Sequence, residues 1–135
     1  REKASFLKEN LLSIQESGHL NFVEAEGSLF PNFKTIFVHG HTESQMIPHI
    51  TYKDKTIVFA ADLLPSSGHI PLPYVMGYDT RPLVTLTEKE KFLNEAAERE
   101  YIIFLQHDNY SECCTVQKTE KGVRLKDSFS LSEIL

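Results

Sequence analysis

The sequence predicts a layered α/β or α+β fold, in which a mixed β-sheet carries helices on one face. Two observations support this class. Several short runs rich in β-branched and aromatic residues predict strands, and two amphipathic runs, one near the start of the chain and one after an irregular stretch, predict helices. The order of elements is helix, several strands, irregular stretch, helix, strand, hairpin and final helix. The 135 residues suit one domain, and no internal repeat or linker divides residues 1–135.

The first half of the chain contains a predicted helix, several predicted strands and a hairpin. Apolar residues spaced for a helix cover residues 3–16, and Gly18 ends that run. Residues 19–23 and 35–38 read as strands, with Gly27, Pro31 and Asn32 marking turns between them. Residues 46–52 and 56–60 form the arms of a predicted hairpin.

The second half begins with an irregular stretch, residues 63–82, which holds four of the six prolines. Thr87 and Glu90 have the spacing of a capping box, which predicts a helix over residues 87–99. An apolar strand at 101–105, a hairpin at 113–118 and 123–125, and a last helix at 129–135 complete the prediction.

Charge and cysteine usage limit the classes of partner. The formal net charge is −5 and the sequence pI is about 5.7, so we expect no non-specific electrostatic binding to nucleic acid or to an anionic membrane. No apolar run approaches the roughly 18 residues of a membrane span. Cys113 and Cys114 are adjacent and cannot supply a disulfide framework. With no signal peptide visible, we expect a cytoplasmic protein.

Three predicted strands end in residues that bind metals. The strand at 35–38 is followed by His41, the strand at 56–61 by Asp62, and the strand at 101–106 by His107. Ligands gather at strand ends in layered α/β folds, and imidazole with carboxylate suits Zn, Fe or Mn. Each residue also has an ordinary interpretation: a surface histidine, or a helix cap in the case of Asp62. Their coincidence at three strand ends favours a metal site.

In this order, these residues resemble the later motifs of the metallo-β-lactamase-fold hydrolases. The resemblance consists of Gly40 to Thr42 after a strand and before a hairpin, then residues 57–64, then residues 102–108. It covers residues 30–125. It implies half of a four-layer αβ/βα fold, with His41 as a ligand of one metal, Asp62 as the bridging ligand and His107 as a ligand of the second.

For the whole enzyme, the resemblance implies two divalent metal ions, most simply Zn, and a bridging water that attacks an ester, lactone or related bond of a small-molecule substrate. The family's His-x-His-x-Asp-His run is absent. The nearest match, which begins at His39, has Glu43 and Ser44 at the positions of the Asp and the last His. We therefore expect residues 1–135 to be the C-terminal half of such an enzyme, inactive by itself and with weak or no metal binding.

Three further residues are predicted to lie around the site. His69 and Tyr78 fall on the irregular stretch after Asp62 and are candidate substrate contacts, with ordinary loop packing as the alternative. Residues 76–79 resemble a stretch of the lactonase-like and organophosphate-hydrolase-like branch of the family. His39 is assigned a supporting position behind the metal ligands or in the pocket.

Two expectations concern association. If half of the fold is missing, an apolar sheet face is exposed, and two copies should cover it as a homo-oligomer. The large apolar residues available are Phe30, Phe33, Ile36, Val38, Ile57, Phe59, Ile102 and Phe104.

The alternative function is a non-catalytic binding module whose sheet packs on a partner. Convergence of His41, Asp62 and His107 within about 4–6 Å would favour the hydrolase.

Overall fold

The computed structural model describes residues 7–135, and its central feature is one seven-stranded sheet. The strands follow the order of the chain across the sheet, and neighbours are antiparallel except for β4 and β5, which are parallel. A parallel pair needs a long crossover, and residues 60–101 supply it. The strands are β1 Gly27–Phe30, β2 Phe33–Val38, β3 Gln45–Tyr52, β4 Lys55–Phe59, β5 Ile102–Phe104, β6 Cys113–Thr119 and β7 Gly122–Phe129.

The described residues form two α-helices, α1 Lys8–Glu16 and α2 Pro82–Glu98, and three short 3₁₀ turns. The turns span Ala61–Leu63, Ser67–His69 and Leu131–Glu133. None of the helices in residues 7–135 combines the length and apolar character needed to cross a membrane. The mixed α/β architecture confirms the predicted fold class.

Several element boundaries differ from the prediction. Helix α2 begins at Pro82 and not at Thr87, because proline is compatible with the first helical position; the Thr87 hydroxyl instead donates to the Leu83 carbonyl inside the helix. Residues 19–23 form no strand, and β1 was not foreseen. The first helix covers Lys8–Glu16, and residues 3–6 of its predicted span lie outside the described residues. The last predicted helix is a single 3₁₀ turn.

Helix α2 packs on one face of the sheet and forms the core with it. Side chains alternate along a strand, so Val58, Ile103 and Cys114, paired across β4, β5 and β6, share a face. All three are fully buried and belong to one apolar cluster with Phe92 and Leu93 of α2. This packing fixes the ends of β2, β4 and β5 relative to the helix.

The opposite face of the sheet is apolar and less covered. Phe59 and Phe104 are paired across β4 and β5 with ring centroids 5.9 Å apart, and both are half-buried. On β3, Met46 and Ile50 are 46% and 39% exposed. Of these four residues, Phe59 and Phe104 were named for this face from the sequence, and Phe59 also packs against the core cluster. Of the residues named for that face from the sequence, Ile36 and Val38 instead pack against the core under α2, because they alternate with Phe37.

Candidate metal centre

The three strand-end residues predicted to bind metal come together around one carboxylate. The Nε2 atom of His41 lies 3.5 Å from Oδ2 of Asp62, and Nε2 of His107 lies 3.1 Å from Oδ1 of the same side chain. Each carboxylate oxygen therefore faces a different imidazole. This arrangement suits a carboxylate that bridges two ions, each with one histidine beside it.

The backbone explains this convergence. Asp62 lies in the 3₁₀ turn directly after β4, where Ala61 adopts a left-handed conformation with φ of 45°. That conformation is strained for a residue with a side chain, and such strain concentrates at functional sites. Strands β4 and β5 are parallel, so their carboxyl ends lie at the same edge of the sheet. The His107 amide then donates to the Pro65 carbonyl, which joins the two strand-end loops.

A buried carboxylate fixes the orientation of the His41 ring. Nδ1 of His41 lies 2.8 Å from Oδ1 of Asp79, whose side chain is almost completely buried. A ring that donates its Nδ1 proton to Asp79 leaves Nε2, the nitrogen that faces Asp62, as the atom that would bind a metal ion. Metal-binding histidines commonly have such a carboxylate partner, which sets the tautomer and raises the basicity of the ligand atom.

The loop before His41 is held by the second helix. The Glu88 carboxylate accepts the backbone amides of His39 and Gly40 at 2.7 and 3.0 Å. Gly40 packs directly on the helix, because a Cβ at this position would lie 2.3 Å from the backbone nitrogen of Thr85. Arg81, which precedes α2, donates through Nε to the His39 carbonyl. Both polar groups of the backbone at residue 39 are thus bound by α2 and the residue before it.

The donors fit a site for two metal ions that share the Asp62 carboxylate. Within residues 7–135, no three His, Cys, Asp or Glu side chains surround a single point as the ligands of one ion would. The carboxylate of Asp62 instead offers two positions, each with one histidine and one oxygen. Gln45 donates to Asp62, while neither its own buried Oε1 nor the buried Oδ2 of Asp79 has a hydrogen-bond partner among the described residues. Neutral imidazole and carboxylate suit Zn, and further donors would have to come from outside these residues.

Comparison with solved structures identifies the fold. The chain superposes on the dizinc quorum-quenching lactonase AidC, in complex with its product N-hexnoyl-L-homoserine, with a TM-score of 0.76 and 22% identity over 90% of this chain and 42% of that one. The hydrolase AbOPH of the beta lactamase superfamily gives a TM-score of 0.79 at 18% identity, covering 90% and 43%. A probable metal-dependent hydrolase from Staphylococcus aureus gives 0.69 at 21% identity, covering 84% and 42%.

The chain has part of the metallo-β-lactamase fold. It spans less than half of the length of the structures that it matches. Comparison of the sequence with protein-family models gave no match, and comparison with curated proteins gave none either. The likeness therefore rests on three-dimensional structure at low sequence identity, and the neighbours that carry it are metal-dependent hydrolases, lactonases among them.

Within this metallo-β-lactamase fold, both predicted substrate-contact residues line one pocket with His107. The pocket has a volume of about 290 Å³ and is formed by Pro65, Ser66, His69, Val75, Met76, Gly77, Tyr78 and His107. Tyr78 is exposed, and its ring centroid lies 6.0 Å from that of His41. Nδ1 of His69 lies 2.8 Å from the Ser66 hydroxyl, and burial together with the charge of Lys89 lowers the pKa of His69. A ligand in this pocket would lie against one histidine of the candidate metal centre.

The His39 side chain points to a different partner from those of the metal centre. Nδ1 of His39 lies 2.6 Å from the carboxylate of Glu43, which also pairs with Arg81. The contacts that join residue 39 to the site are made by its backbone, through Glu88 and Arg81. The supporting role predicted for the imidazole itself stays a prediction.

The Asp108 carboxylate accepts hydrogen bonds from two of the loops at the strand ends. Its carboxylate accepts the Ser67 amide and hydroxyl at 2.8 and 2.6 Å and the amides of Tyr110 and Ser111. Burial tends to raise the pKa of Asp108, but these four hydrogen bonds outweigh burial and hold the pKa at about 2. Asp108 thereby ties the loop after β5 to the loop after β4.

Sequence reasoning missed three charged residues that make hydrogen bonds to His41 or to the loops around the site: Asp79, Glu88 and Lys89. Only the stretch of residues 76–79 gave a signal, through its resemblance to one branch of the family. Glu88 and Lys89 lie on a helix whose charged residues are typical of a solvated face, and nothing in their spacing distinguishes them from their neighbours.

Proposed function

We propose that this chain is the C-terminal half of a metal-dependent hydrolase that cleaves an ester, lactone or related bond in a small molecule. The observation that carries the proposal is the placement of His41 and His107 on opposite oxygens of Asp62. Similarity to lactonase structures supports the bond class, since AidC is described with its lactonase product bound.

The site residues are proposed to have separate roles in binding metal and in orienting the ligands. His41 and His107 would each hold one of two divalent ions, most simply Zn, through Nε2, and the Asp62 carboxylate would contribute to holding both. When bound, such ions polarise the bond under attack and lower the pKa of water. Asp79 keeps the His41 ring in the tautomer that leaves Nε2 free to coordinate.

The pocket beside His107 is proposed to bind the substrate. Its wall combines apolar side chains, from Pro65, Val75 and Met76, with the polar groups of His69 and Tyr78. This mixture suits a small ligand with an apolar part and a carbonyl, because sparse polar groups orient a ligand in an otherwise apolar site. We propose no nucleic acid or membrane partner.

The chain by itself supplies two donors for each ion, so we propose that it binds metal weakly and does not turn over substrate alone. The complementary half would supply the missing ligands and cover the apolar sheet face. A site with few ligands and no enclosed cavity holds metal poorly and leaves the attacking water badly placed.

A metal titration of the purified chain tests this proposal. Zn is titrated in competition with a chromophoric chelator for the wild type and for Asp62→Asn, with His19→Gln as a control at an exposed histidine outside the site. We expect weak binding that Asp62→Asn abolishes and the control leaves intact. Binding that does not depend on Asp62 would overturn the metal assignment and favour the non-catalytic binding module, as would no binding at high Zn concentration.

Turnover is measured in a second assay on the same samples. We expect no Zn-dependent hydrolysis of a generic lactone or ester by the isolated chain. Hydrolysis by the isolated chain would show that no complementary half is needed.

A further inference from the structure

Lys89 is a charged residue in the interior of the protein. Its side chain is 1% exposed, and it lies on the face of α2 that also buries Thr85, Phe92 and Leu93. Its ammonium donates three hydrogen bonds, to the backbone carbonyls of His69 at 3.0 Å, Pro71 at 3.3 Å and Tyr74 at 2.6 Å. An ammonium has three protons, so each of them has an acceptor.

The segment that receives these hydrogen bonds has little regular structure of its own. Residues 70–81 lie between a 3₁₀ turn and α2, and Pro71 and Pro73 have no amide proton to donate. Buried carbonyls need partners, and a buried charge needs hydrogen bonds. Burial lowers the pKa of Lys89 to about 8, and the Asp79 carboxylate acts in the opposite direction, so the ammonium predominates at neutral pH.

The same segment forms one wall of the candidate substrate pocket. It follows His69, carries Met76, Gly77 and Tyr78, and includes Asp79, which contacts the His41 ring. The neighbouring residue Glu88 binds the loop that precedes His41. Two consecutive residues of one helix therefore hold the loops on both sides of the site.

We propose that Lys89 is a positioning residue that fixes residues 69–74 and thereby sets the shape of the pocket and the position of Asp79. It acts through three backbone carbonyls and touches no ligand itself. The proposal rests on the proposed function only for the nature of the pocket's ligand. Its tests need neither metal nor substrate, so its failure is distinguishable from failure of the hydrolase proposal.

Hydrogen exchange of the metal-free chain tests the proposal. Lys89→Met keeps the length of the side chain and removes the charge, and Lys91→Met is the matched control at an exposed position two residues away. We expect amides of residues 70–79 to exchange at least about tenfold faster in Lys89→Met, because charge-assisted hydrogen bonds are lost. Amides of Val58 and Ile103 in the core should keep their wild-type rates, and the control should change neither region.

A purely global role for Lys89 would accelerate exchange in the core as much as in the segment, and that result would overturn the proposal. Unchanged exchange in residues 70–79 would also overturn it. If Lys89→Met does not fold, Lys89→Arg keeps the charge but alters the geometry, and we expect a smaller acceleration confined to the same segment.

The wild-type protein offers a spectroscopic test that needs no substitution. In ¹⁵N spectra of lysine ammonium groups at pH 6, Lys89 should give a slowly exchanging signal, with scalar coupling to the carbonyl carbons of His69 and Tyr74. Exposed Lys91 should give no such signal. Absence of a protected ammonium in the folded chain would overturn the proposal.

Discussion

Nδ1 of His41 lies 2.8 Å from Oδ1 of Asp79, and the other oxygen of that carboxylate is buried and has no hydrogen-bond partner in residues 7–135. A desolvated carboxylate on one side of an imidazole strengthens the ring's opposite nitrogen as a ligand. The pair therefore links the loop before α2 to the candidate metal position at the end of β2.

The first prediction concerns this pair. Asp79→Asn keeps the shape and one acceptor oxygen but removes the charge, so we expect Zn affinity to fall by about 10–100-fold. Competition with a chromophoric chelator measures the change in the isolated chain or in the longer protein. Asp127→Asn, at an exposed position on β7, is the matched control. Equal affinities for Asp79→Asn and the wild type would show that the His41–Asp79 contact does not tune the metal ligand.

The second prediction concerns the contact between the loop at Gly40 and α2. A Cβ at Gly40 would lie 2.3 Å from both the backbone nitrogen and the hydroxyl oxygen of Thr85, so the helix or the loop must move. We expect Gly40→Ala to lower the free energy of unfolding by about 1–3 kcal/mol, as overpacking does. Denaturant unfolding measures this. Gly77→Ala is the control, because its added Cβ meets no atom within 4 Å. A neutral Gly40→Ala would contradict the close approach.

The third prediction concerns Glu88, whose carboxylate accepts two consecutive backbone amides. Glu88→Gln leaves one oxygen to accept and turns a donor toward the other amide. We expect a loss of about 1–3 kcal/mol in unfolding free energy, the cost of an unsatisfied buried group. Glu90→Gln, exposed on the same helix, should change stability by less than about 0.5 kcal/mol. Equal effects of the two substitutions would refute the role of Glu88.

The fourth prediction concerns pH and His49, which is 2% exposed on β3. Burial lowers the pKa of His49, the charge of Lys34 acts in the same direction, and Glu95 and the Ile47 carbonyl oppose them. The unfolded chain then binds a proton near pH 6.5 that the folded chain takes up only at lower pH. Stability from this group is therefore fully present above pH 6.5 and is lost as pH falls below it.

The measurement is the difference in unfolding free energy between the wild type and His49→Phe across pH 5 to 7. Phenylalanine retains a ring beside Tyr101, whose centroid lies 5.5 Å from that of His49. We expect the wild type to lose stability relative to the variant as pH falls from 6.5 toward 5. A constant difference over that interval would show that His49 titrates alike in both states.

The fifth prediction concerns the apolar sheet face opposite α2. We expect the isolated chain to form a dimer or higher oligomer through this face, because exposed apolar patches drive association. Light scattering at tens of micromolar should show the wild type as an oligomer and the double variant Met46→Lys, Ile50→Lys as smaller. Tyr110→Lys, at a position 97% exposed in a loop, should leave the oligomer intact. A wild-type monomer would contradict the prediction.

The elements found from the sequence are those with a strong local signal. The predicted strands at residues 35–38 and 101–105 contain dense β-branched and aromatic residues, and they correspond to β2 and β5. The predicted hairpin of residues 46–52 and 56–60 corresponds to β3 and β4. The start of α2 was predicted too late, because Thr87 and Glu90 have the spacing of a capping box. The helix begins at Pro82 instead, with no side-chain cap. Local patterns mark an element's type more surely than its ends.

The sequence by itself determined the mixed α/β class and the three strand-end residues His41, Asp62 and His107, because strand periodicity and ligand chemistry are local properties of the chain. Tertiary structure alone decided that Asp79 supports His41 and that Lys89 holds the segment of residues 69–74. Those contacts join residues 15 to 38 positions apart through buried charges. Burial and pairing are created only when the loops fold onto α2, so no spacing in the sequence records them.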